Sequence, residues 1–446
     1  MPRMTAPSRL GVLFAALLGT LPTASVAADL VQVYREALGN DQQYAAARAS
    51  AEATRERLPQ GLAGLLPVLS ASAGTLWNEN KYRSDSLSLA KDYNNNSYNV
   101  NLTQPLFRWQ NVVQYGQAKW QLVQAEATLA QASQDLILRV AQAYFDVLFS
   151  IENLKAVCAN KAAIVKQLEQ ARMNFEVGTA TITDTHEAQA RYDLASAQEI
   201  AAQNELDVRR YALRVIVGRE PGELNSLKAQ AELRPPEPAR MERWVEAAEN
   251  DSFTVQAQQA AAEVANREVE RQRAGHYPTV DAVANYGRNN SPASQLSNDR
   301  LEATSRSIGL QLNIPIFQGG LVNSRVREAQ ANRSAAQAAL ENARRTAALN
   351  SQQSYLGVVN GLAQVRALDA ALVSSLSALE SNKLGYEVGV RINIDVLNAE
   401  QQVYVTRRDL ARARFDTLLA QLRLKAAIGS LGEDELEQIN PLFEAP

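Results

Sequence analysis

Period-two alternation marks four stretches of this chain. Leu69, Ala71, Ala73, Thr75 and Trp77 alternate with Ser70 and Ser72, and Tyr98, Val100 and Leu102 alternate with Asn99, Asn101 and Thr103. Further on, Val280, Ala282, Ala284 and Tyr286 stand opposite Asp281 and Asn285, and Ile308, Leu310, Leu312 and Ile314 opposite Ser307, Gly309, Gln311 and Asn313. Such alternation predicts strands with one apolar and one polar face. Each is about 10 residues long, enough to cross a bilayer when tilted. The polar stretches 81–96 and 288–304 read as external loops. Trp77, Tyr98, Phe107, Trp109 and Tyr286 lie near the ends of the apolar faces, as an interfacial girdle would.

The rest is largely helical in pattern. From about Trp109 to Phe175 the chain is rich in Ala and Gln, with Leu122, Leu129, Leu136, Val140 and Val147 at spacings of seven, seven, four and seven. At 1.5 Å per residue that helix spans roughly 100 Å, and its flanking helices, about Leu30–Leu62 and Asp184–Val217, each span roughly 50 Å. The second half repeats the plan with Met241–Ala274, Gln318–Tyr386 and Asp395–Ile428. Landmarks recur at a shift of about 211: Leu66-Pro67-Val68 as Tyr277-Pro278-Thr279, Phe175 to Gly178 as Tyr386 to Gly389, Asp184 as Asp395, Val217-Gly218 as Ile428-Gly429. The expected organisation is a first repeat over 28–217, a Pro-rich linker or outer belt over 218–240, a second repeat over 241–429 and a flexible tail over 430–446.

Nothing in the pattern is left over to cover the apolar strand faces, because the helices need their stripes for each other. Four strands leave edges that lipid forbids. Closure therefore calls for several chains, and three would give twelve strands around a lumen lined by the Asn and Ser face. The same multiplication gives twelve helical strips around a hollow cylinder. The expected fold is mainly α with a small β part, each chain contributing four strands to a trimeric barrel continued by a long helical barrel.

Composition narrows the function. Residues 1–27 carry Arg3 and Arg9, an apolar run from Leu10 to Leu18 and a Ser25-Val26-Ala27 end, the features of a cleaved secretory signal. Without those two arginines, 43 of the 45 basic residues face 48 acidic ones, which argues against nucleic-acid binding. Beyond residue 27 no run approaches ~18 consecutive apolar residues. Cys158 is the single cysteine, and His186 and His276 are the only histidines. His186 lacks a second ligand at i+4, His276 reads as a residue of a helix–strand junction, Cys158 reads as a buried apolar filler, and no Gly-rich phosphate loop follows a strand. The chain is expected to be no enzyme and to need no cofactor or metal. A barrel-embedded hydrolase would lack a nucleophile with a base nearby. A soluble periplasmic coiled-coil adaptor or scaffold is the alternative reading.

Each long helix meets its successor through Val177 to Asp184 or Val388 to Asp395, where Gly178 or Gly389 ends one helix and Thr183 or Asp184 can cap the next. The segment Tyr386 to Ala399, its weaker copy over 175–188 and the repeated Pro105-Leu106-Phe107 and Pro315-Ile316-Phe317 strand ends resemble the TolC family of outer-membrane export channels. The likeness runs through the mature chain to about residue 429. It implies a homotrimer in the outer membrane with a tunnel across the periplasm, docked through a periplasmic adaptor protein to an inner-membrane pump or ABC transporter, for drug efflux or type I secretion. It also implies that Tyr386 and Arg391 hold the periplasmic entrance closed against Thr183 and Asp184, and that Asp395 forms an acidic ring in the pore. The family's second ring position falls on Asn398, a departure that leaves one ring of carboxylates where two are usual. A latch between Arg391 and Asp184, with Tyr386 hydrogen-bonding nearby, is expected across adjacent hairpins.

Overall fold

A computed structural model describes residues 28–85, 87–179, 181–228, 230–291 and 301–445, so the expected signal segment lies outside the described residues. The first half runs α1 (Leu30–Asn40), α2 (Gln42–Arg55), α3 (Arg57–Ala63), β1 (Val68–Ser84), β2 (Leu87–Phe107), α4 (Trp109–Glu176) and α5 (Ile182–Val217). A short β3 (Ser226–Leu227) follows. The second half runs α6 (Met241–Asp251), α7 (Phe253–Arg273), β4 (Thr279–Ser291), β5 (Leu301–Asn313), α8 (Leu321–Glu387) and α9 (Asn393–Ala427), and α10 (Glu433–Ile439) and β6 (Phe443–Glu444) close the chain. The helices α4 and α8, of 68 and 67 residues, are the two long rods, each roughly 100 Å.

The helix expected over Leu30–Leu62 is broken, and so is that over Met241–Ala274. The breaks fall at Asp41 and Ser252, 211 apart, each with extended ψ (116° and 131°). At the first, Asp41 caps α2 by accepting from the Tyr44 amide at 2.7 Å and takes both guanidinium nitrogens of Arg139 at 2.8 and 2.9 Å.

The four larger strands form one antiparallel sheet in the order β1-β2-β4-β5. Its register places Leu69, Leu102, Ala284 and Ile308 on one rung, and Ser70, Asn101, Asn285 and Ser307 on the next. Over these rungs one face is apolar and the other polar. On the apolar face Trp77 is 80% exposed and Ile308 89%, so nothing among the described residues covers it. The expected loop over 81–96 is instead strand: β1 and β2 are 17 and 21 residues long and stay paired from Val68↔Thr103 to Ser84↔Leu87. Polar side chains marked where the hairpin leaves an apolar zone, and the backbone ladder is indifferent to that change. The second expected loop, 288–304, is likewise paired strand over 288–291 and 301–304, and residues 292–300 lie outside the described residues. At the base of the sheet Arg108 grips Asp281 with two hydrogen bonds of 2.8 and 2.6 Å, tying the start of α4 to β4.

Three layers share one arrangement. In the sheet, β1 and β5 are the open edges. Below it, α4 packs between α2 and α7, with α8 beyond α7; lower still the order is α5, α4, α9, α8. Each layer is a row of four with a first-half element at one edge and a second-half element at the other.

A core does exist, at mid-height. Tyr144 and Phe145 of α4, Phe415 of α9 and Phe443 of β6 pack ring against ring at 5.7–6.2 Å, surrounded by Leu30, Val33, Leu213, Leu224, Leu418 and Leu436. The tail expected to be flexible is therefore part of the fold: α10 buries Leu436 and Ile439, and β6 pairs with β3 of the 218–240 segment. Its charges are spent on that docking, Glu433 on Arg35 at 2.6 Å and Glu435 on Lys425 at 3.1 Å.

Candidate functional site

The two hairpin tips at the far end from the sheet carry the sequence-predicted site. In each, a glycine with φ near +77° (Gly178 at 78°, Gly389 at 76°) turns the chain out of the long helix. The Val177 amide returns to the Met173 carbonyl and the Val388 amide to that of Leu384, both at 3.1 Å.

The helix starts then differ. Thr181, not Thr183 or Asp184, caps α5: its hydroxyl accepts from the Asp184 amide, while Asp184 Oδ2 accepts from the Thr181 amide and hydroxyl, both at 2.9 Å. This is a full capping box. Among the described residues Asp184 Oδ1 accepts nothing, and Thr183 is exposed without a side-chain hydrogen bond. At the start of α9, Ile392 offers no side-chain cap. The matching acid, Asp395, instead lies 3.7 Å from Arg391, a long contact on a side chain that is 58% exposed. Within one chain Arg391 and Asp184 do not pair, and the Tyr386 hydroxyl accepts from Asn174 at 3.2 Å rather than meeting Thr183 or Asp184. The expected latch is therefore not closed inside the single chain, where α5 and α9 scarcely touch.

Asn398 follows Asp395 by three residues on α9 and accepts from Arg191 of α5 at 3.0 Å, so a cation stands beside the position that lacks its carboxylate. Deeper between the hairpins, the carboxylate of Glu400, 8% exposed, takes Lys383 at 3.0 Å and the Gln167 amide at 2.9 Å. This clamp joins α4, α8 and α9. Sequence reasoning missed Asn174, Arg191 and Glu400, because spacing along one helix does not say which helix lies opposite. Ile164, Leu168 and Ala171 of α4 pack on Ala188 and Ala195 of α5 and Leu397 of α9, a thin apolar seam. Around it Gln167 Oε1, Thr185 Oγ1, Ser196 Oγ and Asn393 Nδ2 are buried without partners among the described residues, and parting the hairpins would let water satisfy them.

The other residues singled out by sequence sit apart. His186 is exposed, and His276 meets Asn323 Oδ1 at 3.1 Å at the junction of α7 and β4. Cys158 is half-buried rather than an apolar filler. Its thiol contacts Glu199 Oε1 at 3.5 Å, and desolvation, then that carboxylate, raise its pKa above the usual thiol value.

An uncovered apolar sheet on a hundred-ångström helical shaft, with polar tips at its far end, defines one subunit of a membrane barrel and tunnel. The chain belongs to the outer membrane efflux protein family, whose model matches it twice, over residues 33–219 and 244–430. The double match coincides with the two structural repeats. Among relatives, the outer membrane protein TolC of Vibrio cholerae is 35% identical over 428 residues, 95% of this chain and 96% of that one. The alkaline protease secretion protein AprF of Pseudomonas aeruginosa is 31% identical, covering 97% and 90%. The Campylobacter jejuni CmeC outer membrane channel superposes with a TM-score of 0.79 at 18% identity, covering 99% and 97%. The open state of the Neisseria gonorrhoeae MtrE channel gives 0.72 at 21%, covering 91% and 90%. The protein is an outer-membrane channel that reaches into the periplasm and serves as an exit duct for efflux or type I secretion.

Proposed function

We propose that three copies close into a twelve-stranded barrel and a twelve-strip tunnel, and that the hairpin tips form a periplasmic gate opened by an adaptor and an inner-membrane pump or ABC transporter. The observation that carries the trimer is the row of four in every layer. A first-half edge faces a second-half edge of the next copy, a head-to-tail contact that closes into a ring. The free edges are also the apolar ones. Ile200, Val208, Tyr211 and Val215 are exposed along α5, and Leu349, Leu356, Val359, Val373, Leu376 and Leu384 along α8. The rod α8 even contains an 18-residue window of mean hydropathy 1.3, although no run of that length is purely apolar, and only 17% of the window is buried. Three copies, not two, leave an open lumen.

Closure sets α5 of one chain beside α8 of its neighbour. Arg391, in the turn four residues beyond the end of α8, then approaches Asp184, in the first turn of α5, whose Oδ1 is free. Such an exposed pair contributes about 0.5–1 kcal/mol, and a ring of three multiplies the bias toward the closed state. Asp395 narrows the pore with a single ring of carboxylates, and Asn398 beside Arg191 weakens its hold on cations.

Single-channel conductance in planar bilayers tests the gate: Asp184→Ala and Arg391→Ser should each raise conductance, and channels indistinguishable from wild type would refute the latch. Mass measurement of the detergent-solubilised protein tests the trimer.

A further inference from the structure

The apolar face of the sheet is charged at one end only. Two-residue steps from Ile308 and Ala284 toward the hairpin ends lead to Arg306 and Tyr286, which pair across β5 and β4, and then to Thr304 and Arg288, which also pair. Tyr98 of β2 stands beside Arg288 and Val100 beside Tyr286. All six side chains occupy the face that bears Leu102 and Ile308. Toward the tunnel, the same face of β4 and β5 carries Ala282, Val280, Leu310 and Leu312, with no charge.

The two arginines differ in their partners. Arg288 pairs with Glu302. The Arg306 guanidinium stacks 5.5 Å from the Tyr286 ring centroid, and no acidic partner faces it among the described residues. The patch therefore keeps one net positive charge at the upper rim of an apolar wall on which Ile308 and Leu310 are 89% and 73% exposed. A guanidinium at the hydrocarbon boundary is costly without a counter-charge, and its fork matches a phosphate in bidentate fashion. With the tunnel in the periplasm, the charged end lies in the outer leaflet.

We propose that Arg306, held by Tyr286 and supported by Arg288 and Tyr98, binds the headgroup phosphate of a phosphorylated, multiply acylated glycolipid of the outer leaflet, with the acyl chains lying on Ile308, Leu310 and Leu102. Arg288 shifts part of its pairing from Glu302 to the phosphate. The site rests on the outer-membrane placement of the sheet but not on the trimer or the gate, since one chain supplies every residue.

Native mass spectrometry of the full-chain protein in detergent tests it, with diphosphoryl lipid A, the same lipid stripped of phosphate, phosphatidylethanolamine and inorganic phosphate as separate probes. Diphosphoryl lipid A should bind at least about tenfold tighter than its dephosphorylated form, Arg306→Gln should remove most of that difference, and Arg306→Lys should keep part of it. Arg83→Gln, further out on β1, should change nothing. Equal binding of the two lipid forms, or an unaffected Arg306→Gln protein, overturns the proposal. Displacement of the lipid by millimolar inorganic phosphate would overturn the lipid assignment in favour of a plain anion site. Should Arg306→Gln fail to assemble, the comparison of lipid forms on wild-type protein decides alone. Loss of the protein from outer-membrane fractions would instead indict the barrel placement, a result the lipid assay cannot mimic.

Discussion

The two halves build the same elements 211 residues apart and charge them differently. At the upper break Asp41 grips Arg139, whereas Ser252 makes no side-chain cap and Asn350 occupies the position matching Arg139. At the lower turn Thr181 and Asp184 form a capping box where Ile392 offers none. Above the tips, Arg172 meets Gln189 at 2.8 Å on an exposed surface, while the matching Lys383 and Glu400 form an ion pair with a buried carboxylate. The first half spends its polar groups on fixing its own helices. In the second half Glu400 shares its carboxylate between Lys383 of its own hairpin and Gln167 of the other, so part of its hold crosses from hairpin to hairpin. For the gate proposed above, this makes the first hairpin the fixed one and the second the movable one.

The largest effect should come from Asp41→Asn, which removes a charge-assisted bidentate contact from a site where the carboxylate is 5% exposed. The expected loss is about 2–3 kcal/mol, read as the thermal midpoint in detergent. Arg139 holds the Asp41 carboxyl below the ordinary carboxylate value. A depressed folded value means the stabilisation is complete above the unfolded value of about 3.9 and disappears as pH falls through the lower folded one. Wild type should lose this contribution below about pH 4, and the Asn variant should show none of that dependence. Ser252→Asp, having no arginine opposite, should gain only about 0.5–1 kcal/mol from helix capping. A gain as large as the Asp41→Asn loss would show that the break itself, rather than Arg139, sets the energy.

Glu400→Ala leaves Lys383 and Gln167 without their shared acceptor. Lys383 is half exposed and rehydrates, so the cost should be about 1–2 kcal/mol, accompanied by higher conductance. Gln189→Ala, its counterpart in the first half, should lie within about 0.5 kcal/mol of wild type and leave conductance alone. Equal effects of the two would erase the proposed distinction between fixed and movable hairpins.

Thr181→Ala removes the α5 cap and should cost about 1 kcal/mol, visible as faster amide exchange over 182–185. The mirror change, Ile392→Thr, should slow exchange at the start of α9. If it also lowers open probability, the missing cap is part of what lets the second tip move.

These contrasts were only partly legible in the amino-acid sequence. The two long rods, the strand register and the repeat follow from periodicity, because each is written many times over in Leu, Val and Ala positions. The equatorial core is not, since its closing pieces, Leu436 and Phe443, are single residues in a short charged tail whose docking depends on distant Phe145 and Phe415. At the tips, Gly178, Gly389 and the acids at 184 and 395 were visible as turn and cap signals. Which acid would be spent locally turned on Thr181 against Ile392, three residues before each, and on helices crossing at Asn174, Arg191 and Glu400.

The smallest effect is the most diagnostic of the movable tip. Gly385, where the first half has Asn174, lies under the Arg391 side chain: a β-carbon placed there would sit 2.7 Å from Arg391 Cγ. Gly385→Ala therefore pushes Arg391 off the end of α8 without removing its charge, and alanine otherwise favours the helix by about 1 kcal/mol. Stability should hold or rise slightly while conductance increases toward the Arg391→Ser level, because the guanidinium no longer reaches across to the neighbouring hairpin. The double variant Gly385→Ala with Arg391→Ser should conduct like Arg391→Ser alone, since both act on one contact. Additive increases would mean that Gly385 governs the tip through backbone freedom, and that the position of Arg391 is incidental to closure.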